Sequence, residues 1–192
     1  RQRQMCIRDR EYLEEYKEER KDILKIVDKV FSSGVLVLGE GVRKFEEEYS
    51  TYCCSADAVG VDNATNGIFL ALKALNIGLG DEVLVPSLTY VASFQAISAV
   101  GARPVACDIN PETCIFDWRD AERRLTPQTK AIMPVHYSGE TGDLDGIYEF
   151  ANRHDLRVIE DAAHAFGSTH GGKPVGGFGD LACFSFDGIK NF

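Results

Sequence analysis

The sequence has no apolar run approaching the roughly 18 residues that a membrane-spanning helix needs, so no helical span is expected. Its positive charge is low. Lys and Arg number 21 against 30 Asp and Glu, a formal charge of −9 with a pI near 4.9. A nucleic-acid or anionic-membrane surface would be basic, so neither partner is expected. The amino terminus is polar and charged, without the apolar core of a secretory signal. Together these absences predict a soluble, cytoplasmic protein. The six cysteines, at positions 6, 53, 54, 107, 114 and 183, form no C-x-x-C pair, and adjacent Cys53 and Cys54 cannot grip one zinc in the usual way. They read as reduced thiols. Only four histidines occur, with no H-E-x-x-H, and no metal site is expected.

Nucleotide motifs are missing as well. Gly78-Leu-Gly80 and Gly177-Phe-Gly179 lack the third glycine of G-x-G-x-x-G, and each precedes a strand instead of following one. There is no G-x-x-x-x-G-K-[ST] and no G-x-S-x-G elbow, and Rossmann dehydrogenase and P-loop readings lose their main support.

What the chain does have is 44% hydrophobic residues over 192 positions, enough for a sizeable core. Residues 11–31 carry Tyr12, Tyr16, Ile23, Ile26, Val27 and Val30 at helical spacing and predict an amphipathic helix ended by Ser32-Ser33-Gly34. A second helix is expected over 42–52. Apolar strands are expected at 58–62, 82–85, 104–108, 130–135, 158–160 and 181–184, with helices at 68–75, 91–100, 117–125 and 143–154 between them. Residues 171–180 read as a glycine-rich bend. Strand and helix in alternation give βαβ units, and the crossover rule makes most of the sheet parallel. The expected fold is α/β, a three-layer αβα arrangement around a mostly parallel central sheet.

One stretch organises the rest. Val158-Ile-Glu-Asp-Ala-Ala-His164 is an apolar run ending in two acids, a small-residue turn and a histidine, and Phe184-Ser-Phe-Asp-Gly-Ile-Lys190 ends in an amine. Open α/β sheets put ligand chemistry at the carboxyl ends of their strands. The turn Asn63-Ala-Thr-Asn-Gly67 opens a helix whose free N–H groups could hold an anion. Thr65 or Asn66 could equally be a plain N-cap there. A lone Asp after a strand can likewise be a cap, a lone Lys a surface charge, and His164 a packed histidine. Pyridoxal 5′-phosphate (PLP) demands the whole set: a lysine for its aldehyde, an acid for its pyridine nitrogen, a helix start or hydroxyls for its phosphate, and a flat face for its ring.

The same residues carry a resemblance to the DegT/DnrJ-type sugar aminotransferases, PLP enzymes of the aspartate-aminotransferase fold, over about residues 11–192. Gly39 to Tyr52 with Phe45-Glu46, Gly60-Val-Asp-Asn-Ala-Thr65 with Leu70-Ala-Leu72, and Gly80-Asp-Glu-Val-Leu-Val-Pro-Ser87 with Thr89-Tyr-Val-Ala92 are similar to its first segments. Pro134-Val-His136, Glu160-Asp-Ala-Ala-His-Ala165, Gly179-Asp180 and Phe184-Ser-Phe186 with Lys190 are similar to its later ones.

The resemblance implies that Lys190 is the Schiff-base lysine and Asp161 the pyridinium partner. His164 would lie beside the cofactor's phenolic oxygen, and Tyr90 would stack on the ring. Thr65, Ser185 and the backbone N–H groups of Ala64 and Thr65 would hold the phosphate. It further implies transfer of an amino group from an amino acid, glutamate, to a nucleotide-linked keto-sugar, with the site built in a homodimer. Two departures stand out: Ala64 replaces a commoner glycine, and Asp187-Gly-Ile189 replaces the commoner His-Pro-Thr before the lysine. Lys190 argues against the dehydratases of the family, which carry histidine there. Other PLP enzymes of the same fold, and a catalytically silent regulator that kept the fold, remain alternatives.

Residues 1–10, with four arginines and no helical stripe, resemble translated adapter sequence and are set apart as a non-native leader. Residues 11–192 are then expected to be a PLP-binding large domain without its small carboxyl-terminal domain, and of low stability in isolation.

Overall fold

The structure, a computed structural model, describes residues 12–188 and Lys190. The leader reading at residues 1–10 lies outside these. Two compact units divide between Phe45 and Glu46, inside the second helix. The first holds α1 (Tyr12–Ser33) and the start of α2 (Glu40–Cys53). α1 presents Ile23, Ile26, Val27 and Val30 as an exposed apolar stripe, as its spacing suggested.

In the second unit, β1 (Glu82–Pro86), β2 (Arg103–Cys107), β3 (Thr129–Ile132), β4 (Arg157–Asp161) and β7 (Leu181–Cys183) form one parallel sheet in the order β2-β1-β3-β4-β7. Such a sheet must bury both faces, and its strands read as near-continuous apolar runs. β1 is buried over its whole length, with the charged Glu82 at its start and an apolar run after it. Helices α3 (Ala64–Ala74) and α4 (Val91–Ala99) pack with Val83, Val85, Ala131, Met133 and Ile159 on one face. Helices α5 (Trp118–Arg123) and α6 (Leu144–Arg153) pack with Leu84, Ile132 and Val158 on the other. The three-layer αβα expectation holds.

Capping follows the sequence in α6, where Asp143 accepts from the Gly146 N–H at 3.1 Å. The preceding Gly142 has φ +59, and a Cβ there would stand 2.5 Å from Ile115 Cγ2, so both backbone and space require glycine. In α3 the cap is Asn63, whose side chain accepts from Asn66 N–H at 2.9 Å, and not Thr65 or Asn66. The helix thereby begins at Ala64, earlier than the apolar pattern from Ile68 suggested, because small polar residues fill its exposed first turn.

The expected strand at 58–62 does not form. Its backbone has no ladder partner among the described residues; Gly60 N–H donates to the Glu46 carboxylate at 2.7 Å, and Val59 is 77% exposed. The glycine-rich bend contains part of a small antiparallel hairpin, β5 (Thr169–His170) with β6 (Lys173–Pro174), turned by Gly171 and Gly172 at positive φ.

Candidate active site

All five strands point their carboxyl ends to one side of the sheet. From those ends leave the turn into α4 with Tyr90, the segment to His136 after β3, the turn from Asp161 to His164 after β4, and the run from Ser185 to Lys190 after β7. Parallel strands thus gather residues far apart in sequence, which is why this edge hosts ligand chemistry in open α/β folds.

Asp161 ends β4 and is 6% exposed. Its main chain is fixed on both sides: its N–H donates to Pro134 O at 2.9 Å and its carbonyl accepts from His136 N–H at 3.1 Å. The carboxylate accepts from the Ser93 hydroxyl at 2.7 Å on Oδ2 and from Ala163 N–H at 3.2 Å on Oδ1. A carboxylate oxygen has two lone pairs, so each retains capacity for another donor.

Lys190 Nζ meets His164 Nε2 at 2.9 Å and lies 6.0 Å from the centre of the Tyr90 ring. Tyr90 is the N-cap residue of α4, makes no side-chain capping bond and is 71% exposed. Burial, and next the positive charge of Lys190, hold the His164 imidazole below its ordinary pKa, with Asp161 opposing them. A neutral imidazole therefore faces the amine at neutral pH.

Ala64 and Thr65 occupy the first two positions of α3, where helical N–H groups have no carbonyl one turn back. α3 lies against the end of β7: a Cβ on Gly67 would come 3.8 Å from Cys183 Sγ. Ser185, two residues past that strand, accepts a long bond from Asp187 N–H at 3.5 Å. No hydrogen bond joins Thr65 to Ser185. The Cys183 thiol is pushed up to about 12 by burial and by the charges of Asp161 and Glu160, so it stays neutral.

Of the seven residues singled out in the sequence, the geometry thus joins Lys190, His164 and Tyr90 directly and sets Asp161 on the same sheet edge. It adds side chains whose roles the sequence reading did not assign. Ser93 is fully buried and binds Asp161. Glu160, also fully buried, accepts from Tyr148 OH and from Gly179 N–H at 3.2 Å, and pairs with His136 Nε2 at 2.6 Å. Burial, then the charge of Glu160, pushes the Tyr148 phenol far up, so it serves as a donor. The signal for Ser93 is present: a hydroxyl among Ala92, Ala96 and Ile97 on the buried side of α4 needs a partner. Its identity could not be read, because it lies 68 residues away.

An amine beside a neutral imidazole, an aromatic face, a fixed carboxylate and a helix start together can hold an aldehyde, an aromatic nitrogen base and an anion. The chain is similar to several known proteins. A dTDP-3-amino-3,4,6-trideoxy-alpha-D-glucose transaminase of Micromonospora megalomicea subsp. nigra is 45% identical over 175 residues, covering 91% of this chain and 47% of that protein. GDP-perosamine synthase of Caulobacter vibrioides is 46% identical over 172 residues, covering 90% and 46%. The crystal structure of S. venezuelae DesV in complex with a ketimine intermediate superposes with a TM-score of 0.87 at 41% identity, over 90% of this chain and 46% of that one. The chain spans about half the length of the curated relatives it matches. Residues 17–192 match the DegT/DnrJ/EryC1/StrS aminotransferase family along their whole extent, and the chain belongs to that family.

Proposed function

We propose that the protein carrying this chain is a PLP-dependent aminotransferase that moves an amino group from glutamate to a nucleotide-linked keto-sugar. The observation that carries the reading is the Lys190 amine, 2.9 Å from His164, on the sheet edge where β4 delivers Asp161. The names of the relatives, which include a dTDP-sugar transaminase and GDP-perosamine synthase, support the sugar class of the acceptor.

The residues suit PLP. Asp161 has spare acceptor capacity for a ring N–H, and the first turn of α3 offers N–H groups to a phosphate. When bound, PLP supplies an electron sink for a carbanion at the amino-acid carbon. Lys190 would hold the aldehyde covalently and, once displaced by the donor, carry the proton between the substrate carbon and the cofactor carbon. Asp161 would keep a proton on the ring nitrogen. His164 would bond the phenolic oxygen, Tyr90 would cover one ring face, and Ala64, Thr65 and Ser185 would bind the phosphate. Orientation and electron withdrawal then share the rate enhancement. The enzyme works in the cytoplasm as a homodimer, without nucleic-acid or membrane partners.

Borohydride reduction of the holoprotein followed by peptide mapping should find the cofactor on Lys190; label at another residue, or none, overturns the proposal. Offering keto-sugar nucleotides beside 2-oxo acids, with glutamate as donor, tests the substrate class. Turnover of 2-oxo acids alone would overturn the sugar assignment.

A further inference from the structure

We infer that Ser93 is a positioning residue for Asp161, and that the first turn of α4 sets the acid and the ring-stacking aromatic in register with each other. The inference rests on the PLP reading above and deepens it.

A serine inside a helix usually bonds back to a carbonyl three or four residues earlier. Here that contact is poor, with Ser93 Oγ 3.4 Å from Tyr90 O, whereas Asp161 Oδ2 lies at 2.7 Å. The direction of the bond is fixed, because an ionised carboxylate only accepts. Ser93 therefore donates its single proton to Asp161. The Thr89 hydroxyl, 2.7 Å from Ser93 Oγ, must then donate to Ser93. A one-way chain results, from half-buried Thr89 through fully buried Ser93 to the carboxylate.

Two donors approach the carboxylate from different elements: Ser93 on α4 reaches Oδ2, and Ala163 N–H from the following turn reaches Oδ1 at 3.2 Å. Together they stop the group from rotating about its Cβ–Cγ bond, so the remaining lone pairs keep one direction. Without Ser93 one oxygen is released and the carboxylate can swing. Tyr90 sits one residue after Thr89 and three before Ser93, at the cap of the same helix. A single rigid turn thus holds the side chain that would cover the ring and the hydroxyl that aims its nitrogen partner. Held side chains of this kind turn a bound ligand into an oriented one.

The test is a double-mutant cycle on PLP affinity in the holoprotein, using Ser93→Ala, Asp161→Asn and the pair, with PLP itself as probe. Visible circular dichroism of the bound cofactor reports ring orientation. Ser93→Ala should weaken PLP binding about tenfold, as expected for one lost bond to a charged group, and change the dichroism. In the Asp161→Asn background it should cost little more, since its effect passes through Asp161. Additive losses, or unchanged affinity and dichroism in Ser93→Ala, overturn the inference while leaving the PLP reading intact. A wild-type protein that takes up no PLP overturns both. Should Ser93→Ala fail to fold, Thr89→Val, which keeps shape and removes the upstream donor, should weaken binding by about two- to threefold, and no change there also overturns it.

Discussion

Two carboxylates stand side by side at the end of β4, and strand alternation sends them to opposite faces of the sheet. Glu160 turns toward the α5–α6 layer, as Val158 does, and Asp161 toward the α3–α4 layer, as Ile159 does. Both are buried, and both bind a side chain of the helix layer they face. They differ in what they have left. Glu160 meets a histidine, a phenol and a main-chain N–H, and is enclosed completely. Asp161 takes two donors and stands at the edge where Lys190 and His164 lie. The same residue type, moved by one position, passes from holding layers together to having acceptor capacity for a ligand.

Four substitutions test this contrast. If the proposed function holds, Asp161→Asn is expected to lower transamination by about 10²–10⁴-fold, the range of a lost protonic partner, while changing unfolding free energy by about 1 kcal/mol or less. Single-turnover kinetics and urea melts separate the two effects. Glu160→Ala should show the reverse emphasis, costing about 3–5 kcal/mol in a denaturant titration, because His136, Tyr148 and the Gly179 N–H all lose their acceptor. Stability near wild type in that variant would end the distinction. Tyr148→Phe should cost about 1–2 kcal/mol and leave PLP affinity unchanged.

The smallest effect concerns the start of β4. Asp180, just before β7, takes two bonds there from Arg157, at 2.9 and 2.6 Å, and one from Val158 N–H at 2.9 Å. Burial pushes its carboxyl up, but the Arg157 and Val158 bonds outweigh it, so its pKa lies below the ordinary value. A carboxyl lowered in the folded state stabilises above its unfolded pKa of about 3.9, and that contribution disappears as pH falls through the folded value. Asp180→Asn should therefore be less stable than wild type at neutral pH, by at most about 1 kcal/mol for so exposed a pair. The gap should close in acid melts below about pH 4.

The sequence was most legible where short apolar stretches were buried. Val83–Val85, Ala131–Ile132 and Val158–Ile159 form the apolar centres of β1, β3 and β4, and an αβα sandwich follows from the alternation of such strands with helices. It misled where local pattern lacked a partner: residues 58–62 look like a strand, yet only a ladder makes one, and there Gly60 bonds a side chain. The cap of α3 was misplaced because three residues of capping type, Asn63, Thr65 and Asn66, stand close together, and only geometry selects Asn63. In the site, Asp161, His164, Tyr90 and Lys190 were readable as chemical types at strand and helix ends. Ser93 and the enclosure of Glu160 were not, since each depends on a contact between distant segments.

The alternation along β4 has a consequence for how this stretch tolerates change. Removing or adding one residue between Arg157 and Glu160 would exchange the two acids between faces. A deletion would set the shorter carboxylate in the cage built for glutamate, and an insertion would press the longer one on Ser93. Point substitutions at Val158 or Ile159 alter packing by degrees, whereas a single-codon change in length would displace both acids at once. A deletion scan of the gene should therefore find a sharply intolerant window here, beside a tolerant one at residues 58–62, where no ladder fixes the count.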